Sequence, residues 1–219
     1  EGFSLDNVTS ILSGTVKADG TLVLKVYYTR NLYVITIDVD GGNPVDNIEA
    51  KYGAIVTAPT VSKTGFAFDG YDPTFPETMP LGGATIKAKW VAVEVNYHVE
   101  HYFENANDNE YSLYDTITLQ ALTGSTVTAT TIEVDGFTLH DDYLDVGGTV
   151  LADGSLVLKL YYTRNVYTIK VDVDDDISEI VAKYNAAVFV DEPTKTGFVF
   201  DGWDPEFPET MPLGGLTVT

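Results

Sequence analysis

The sequence contains no cysteine, which removes disulfides, thiol chemistry and zinc–thiolate sites. Basic residues are scarce: 12 Lys and Arg stand against 33 Asp and Glu, a formal net charge of −21 over 219 residues. Such a surface repels phosphate backbones and anionic lipid headgroups, so neither nucleic acid nor a bare membrane is an expected partner. No apolar run approaches the roughly 18 residues of a membrane span, and the chain itself contains no basic-then-apolar leader. Membrane insertion by this stretch is therefore not expected. The only histidines are His98, His101 and His140. His98 and His101 project to opposite faces of an extended strand and cannot converge on one metal. No nucleophile elbow or phosphate-binding glycine loop is present, and the sequence predicts no enzyme.

What the chain has is duplication. "ADGTLVLKVYYTRN" at 18–31 returns as "ADGSLVLKLYYTRN" at 152–165, and "KTGFAFDGYDPTFPETMPLGG" at 63–83 returns as "KTGFVFDGWDPEFPETMPLGG" at 195–215. The repeating unit is about 133 residues, near the usual size of one domain. Inside it the patterning suggests two small domains, A and B. Residues 1–31 are the C-terminal part of an A domain and 32–92 a B domain. Residues 93–165 are a complete A domain, and 166–219 a second B domain truncated at its last strand. The opening "EGFSLD" corresponds to "DGFTLH" in mid-module, which predicts that the chain is a fragment. It also predicts that residues 1–31, without partner strands, are poorly anchored or pair with another molecule.

In domain A, "VEVNYHVEHYF" and "YSLYDTITL" read as partner strands around the polar turn "ENANDNE". "GGTVLADGSLVLKLYY" reads as a hairpin turning at Asp153-Gly154, with Leu156, Leu158, Leu160 and Tyr162 on one face. In domain B an alternating strand places Tyr33, Ile35, Ile37 and Val39 inward. A short helix is then predicted twice. In "NPVDNIEAKYG", Asn43 caps, Pro44 opens and Gly53 closes; in "DDISEIVAKYN", Asp175 and Asn185 take the end positions. Ile177, Ile180, Val181 and Tyr184 lie at helical spacing. The joints "YYTRNLYVIT" and "KWVAVEVNYHV" carry no flexible linker, which predicts domains set end to end as an elongated rod, with contacts mainly between tandem domains.

The run "TGFAFDGYDP…TMP…TIKAKW" resembles the internalin-type B repeat (Listeria–Bacteroides repeat). Gly65, Phe66, Phe68, Gly70, Tyr71 and Trp90 match it, and Trp203 restores the usual Trp where the first copy has Tyr71. Domain A looks like a MucBP-like (mucin-binding-protein) module, through "VNYHVEHYFENANDNEYSLYDTITLQALTGSTV" and "LVLKLYYTRN". The resemblance implies α+β, β-grasp-like domains, β-rich with one short helix in each B domain. It implies a secreted surface protein at a Gram-positive bacterial cell surface or wall. The function implied is an adhesin binding host or matrix glycoprotein, mucin or polysaccharide; the alternative is a structural stalk that projects a binding head.

Four aromatic residues are candidates for stacking on sugar rings: Tyr111, Tyr114, Tyr71 and Trp203, with core or cross-strand packing as the competing role. The identical "FPETMPLGG" segments are either structural loops or binding loops. No cofactor is required. Calcium is the one candidate ion, at Asp172, Asp174, Asp175 and Asp176 or at Asn105, Asn107, Asp108, Asn109 and Glu110. Neither cluster has EF-hand spacing, and turn and cap chemistry accounts for both.

Overall fold

A computed structural model describes residues 1–143 and 146–219. The chain divides into two compact units, Glu1–Val93 and Glu94–Thr219.

In the first unit, β1 (Phe3–Leu5) and β2 (Tyr28–Arg30) form a two-stranded ribbon. A four-stranded sheet follows, built from β3 (Leu32–Asp38), β4 (Ile48–Lys51), β5 (Phe66–Asp72) and β6 (Ala84–Ala92) in the order β4-β3-β6-β5. The β3–β6 pairing is parallel and the other two are antiparallel. Alternation along β3 sends Ile35 and Ile37 into the core, where they meet Val56, Met79 and Ile86.

The second unit begins with β7 (Glu94–Glu104) and β8 (Tyr111–Leu122), then β9 (Thr126–Thr128), β10 (Phe137–Leu139), β11 (Gly147–Thr149) and β12 (Val157–Arg164). The main sheet runs β10-β12-β7-β8, and β9 pairs with β11. Tyr97, Val99, Phe103, Leu158, Leu160 and Tyr162 fill its core with Val150. A three-stranded sheet of β13 (Val166–Val173), β14 (Asp176–Lys183) and β15 (Leu216–Val218) closes around Ile169, Val171, Met211 and Val218.

Two expectations are corrected here. The described residues hold fifteen strands, one 3-10 turn at Asp141–Tyr143 and no α-helix, so the fold is all-β rather than α+β. The segments expected to be helices are β4 and β14, each antiparallel to the strand before it. Asp174 and Asp175 both have positive φ and sit between the paired Val173 and Asp176. That is the geometry of a two-residue hairpin turn, and not of a helix cap. In the first copy Asp40 and Gly41 have positive φ and the Gly42 amide bonds the Val39 carbonyl at 2.9 Å. Gly53 and Asn185 do have positive φ, but they shape a turn closed by Ala54 N–H to Lys51 C=O and Ala186 N–H to Lys183 C=O, each 2.9 Å. A helix C-terminus and such a turn ask the same thing of that one residue. The side chains then follow period 2: Ile180 and Ala182 pack on the core, while Ile177 and Val181 are exposed.

The second correction is the hairpin at Asp153-Gly154. The chain turns there, with Gly154 N–H on the Leu151 carbonyl at 3.0 Å. Its two arms part company, however: β11 pairs with β9, and β12 lies parallel to β7. The "FPETMPLGG" segments are packed structure at their centres, since Met79 and Met211 are buried. A Cβ at Gly83 or Gly215 would collide with the backbone of Val34 or Thr168, so glycine is required at both.

Candidate functional site

The four aromatic candidates do not come together. Tyr71 is an internal packing residue of the first unit. Its hydroxyl donates to the Pro59 carbonyl at 2.9 Å, its ring meets Phe68 at 4.8 Å and Phe75 at 5.6 Å, and burial pushes its pKa up. Trp203 meets Phe200 at 5.1 Å on the wall of an open cleft in the second unit. Tyr111 stands edge-on to Tyr161 at 5.2 Å; burial, then the nearby Glu104 charge, raises its pKa.

Tyr114 differs from these three. It is 61% exposed, and its ring lies flat on Phe103, with centroids 4.3 Å apart and planes 2° from parallel. Phe103 is fixed from beneath by Phe137 at 4.4 Å and Tyr162 at 5.1 Å. The Tyr114 plate is thus rigidly seated and open on its outer edge. It belongs to a groove of roughly 380 Å³ whose apolar lining includes Phe103, Leu113, Tyr114, Val134, Phe137 and Tyr184. Asn105, Ser112, Asp135, Arg164 and Asn185 supply the polar lining.

The polar rim is held by a network that the sequence did not reveal. Glu104 is buried. One carboxylate oxygen accepts the Arg164 backbone N–H at 2.8 Å and the other the Lys183 ammonium at 2.7 Å. Arg164 donates from Nε to the Glu104 carbonyl at 2.6 Å and from Nη1 to the Tyr184 carbonyl at 2.9 Å, with its guanidinium 4.7 Å from the Phe137 ring centre. Two backbone carbonyls therefore hold a planar cation against an aromatic face. An aromatic plate beside amide, carboxylate and guanidinium groups can take one apolar face of a ring and bond its hydroxyl edge.

The calcium candidates take part in turns and ion pairs of the fold. Asp172 accepts the Asp175 N–H at 3.0 Å, and Asp174 binds Lys195 at 2.6 Å; Asp175 and Asp176 are exposed at the hairpin turn. In "ENANDNE", Lys183 Nζ donates to the Asp108 carbonyl at 2.9 Å and to Asn109 Oδ1 at 2.8 Å. Asn107 Oδ1 accepts the Ala187 N–H at 3.2 Å, Asn105 Oδ1 accepts Ser112 Oγ–H at 2.7 Å, and Glu110 is exposed. Among the described residues no three acidic or histidine side chains gather as a metal site. Sequence reasoning named His101 as a strand residue but did not place it in the core, where it is fully buried on the inner face of β7. Its Nδ1 is 3.1 Å from the Tyr162 hydroxyl, and its Nε2 has no partner. Period-2 alternation with Val99 and Phe103 was the available signal.

No family model matches the chain. It is 28% identical over 213 residues to a "Putative Gly-rich membrane protein" of Evansella cellulosilytica, a match covering 86% of this chain and 23% of that protein. It is 24% identical over 218 residues to a "Putative membrane protein" of the same organism, covering 88% of this chain and 31% of the relative. The chain therefore spans about a quarter to a third of the length of the curated relatives it matches. Among the described residues no helix is long and apolar enough to cross a membrane.

Proposed function

We propose that this chain is part of the repeat region of a bacterial cell-surface adhesin, in which MucBP-like modules alternate with internalin-type B repeats. It binds host glycoprotein, mucin or polysaccharide outside a Gram-positive cell, and Tyr114 is the contact residue. The observation that carries this reading is the exposed Tyr114 ring stacked on Phe103 at the edge of a groove lined by Asn105, Asp135 and Arg164. That both relatives carry membrane-protein names supports a place at the cell envelope. A second reading, a stalk that projects a binding head, draws on the Glu104–Arg164–Lys183 network. That network ties β7 and β12 to the end of β14 and stiffens the joint between a domain A and the domain B after it.

The test is binding of the whole chain to an immobilised mucin and glycan panel at physiological salt, with and without calcium. The expected result is saturable, calcium-independent binding to a defined glycan that Tyr114→Ala abolishes. Binding untouched by Tyr114→Ala removes the groove from the proposal. No binding by folded protein leaves the stalk as the reading that stands.

A further inference from the structure

Lys183, at the end of β14, holds its ammonium among three acceptors drawn from the end of β7 and the turn that follows it. Nζ lies 2.7 Å from Glu104 Oε1, 2.8 Å from the side-chain Oδ1 of Asn109 and 2.9 Å from the Asp108 carbonyl. An amine, a carboxamide and a carboxylate therefore meet at one atom. Those are the nucleophile, the acyl group and the base of an amide exchange. The Lys183 and Glu104 side chains are 25% and 11% exposed, so both are largely screened from solvent. Glu104 is held in place, because its other carboxylate oxygen accepts the Arg164 backbone N–H at 2.8 Å. The turn that carries Asn109 is fixed as well. Asn107 Oδ1 accepts the Ala187 N–H at 3.2 Å, and the Asn105 N–H donates to the Glu110 carbonyl at 2.8 Å. Asn109 itself is exposed, which gives its carboxamide room to rotate and a leaving group a way out.

We propose that Lys183 and Asn109 are the site of an intramolecular amide cross-link, formed with Glu104 as the proton carrier. Glu104 takes one proton from the Lys183 ammonium. Asn109 turns about χ2 so that Cγ, rather than Oδ1, faces the freed amine. The amine electron pair attacks Cγ and forms the Nζ–Cγ bond, while the carbonyl π pair moves onto Oδ1. Glu104 then gives its proton to Nδ2. The carbonyl re-forms, the Cγ–Nδ2 bond breaks, and ammonia leaves with that electron pair. The proton still in excess on Nζ passes through Glu104 to the departing ammonia. One lysine ammonium and one carboxamide thus become one secondary amide and one ammonium ion, with no oxidant or further reactant. Free amides resist amines in water, and contact between positioned groups supplies the rate through a high effective concentration. The bond joins positions 74 residues apart. It fastens the β7–β8 turn to β14 covalently, where the ion pair alone is reversible. The structure shows the two side chains still unjoined.

The test is the intact mass of the purified 219-residue chain, wild type beside Asn109→Ala and Lys183→Arg, followed by protease digestion and fragment sequencing by mass spectrometry. The expected wild-type mass is one ammonia below the mass of the sequence. The digest is expected to contain a branched peptide joining the segments around Asn109 and Lys183. Both variants are expected at full mass. Glu104→Gln is expected to slow cross-linking by at least about a hundredfold over a time course. Circular dichroism checks that each variant is folded, and the exposed Asn109→Ala keeps the test decisive should Glu104→Gln not fold. A wild-type mass equal to that of the sequence overturns the proposal. So does a deficit that survives in Asn109→Ala, or one that maps to an unbranched peptide. An undiminished rate in folded Glu104→Gln overturns the role given to Glu104.

Discussion

The same line of sequence occurs twice and meets two fates. Leu158, Leu160 and Tyr162 are 4%, 1% and 2% exposed; their counterparts Leu24, Val26 and Tyr28 are 48%, 49% and 62% exposed. Local propensity is nearly identical in the two copies, so the difference lies in the neighbour. In the second copy β7 lies parallel to β12, from His98 opposite Val157 to Phe103 opposite Tyr162. Among the described residues, the strand ladder of the first copy is the three-residue pairing of β1 with β2, and no core cluster includes its apolar face. Burial of a β face is thus a property of the pair of strands and not of either one.

The largest expected effect separates those fates directly. Leu160→Ala removes a fully buried side chain and is expected to destabilise the second unit by about 2–5 kcal/mol. Val26→Ala, at the matching position, is expected to change stability by less than about 0.5 kcal/mol. Chemical denaturation with segment-resolved hydrogen exchange reads both. Equal effects would mean that residues 1–31 bury their face against something else in solution.

The next contrast is Lys183 against Lys51. Lys183→Ala leaves the buried Glu104 carboxylate without its cation and is expected to cost about 1–3 kcal/mol, with faster exchange along β7 and β14. Lys51 is exposed, and Lys51→Ala is expected to be near neutral. Similar values for the two would show that the network contributes nothing at the joint.

A smaller effect comes from pH. Desolvation lowers the His101 pKa, opposed by the Asp115 charge on β8. The Tyr162 hydroxyl faces it from β12. The folded state therefore holds His101 neutral, while the unfolded chain takes up a proton near pH ~6.5. This contribution to stability is present above that pH and is lost as the pH falls through it. Thermal unfolding at stepped pH should show the second unit losing stability on acidification by a term that His101→Gln removes. The first unit has no histidine and lacks that term. A parallel response in both units would assign the acid sensitivity to carboxylates. The smallest expected effect is that of Tyr114→Ala on stability, below about 1 kcal/mol because the ring is largely exposed. A larger loss would recast Tyr114 as a core residue.

Much of this was legible. Period 2 in "LVLKLYY" and "YVITID" marked the inward faces of β12 and β3, because alternation follows from the pleat alone. The positive-φ demand at Gly53 and Asn185 was legible too, but its meaning was not. One left-handed residue closes a helix or shapes a turn equally well, and the neighbouring strand decided for the turn. Of the candidate aromatics, residue type marked all four, and only packing distinguished the seated, open Tyr114 from Tyr71, whose hydroxyl is bonded inside the fold.

By itself the sequence determined the repeat, the alternation of core faces and the places where the backbone must turn, since each depends on residues close together in the chain. The tertiary structure alone decided which strands pair, where Lys183 delivers its charge and which candidate aromatic is seated yet exposed. Those outcomes depend on partners about 20 to 80 residues away, and strand pairing between distant segments leaves no local pattern from which the partner can be read.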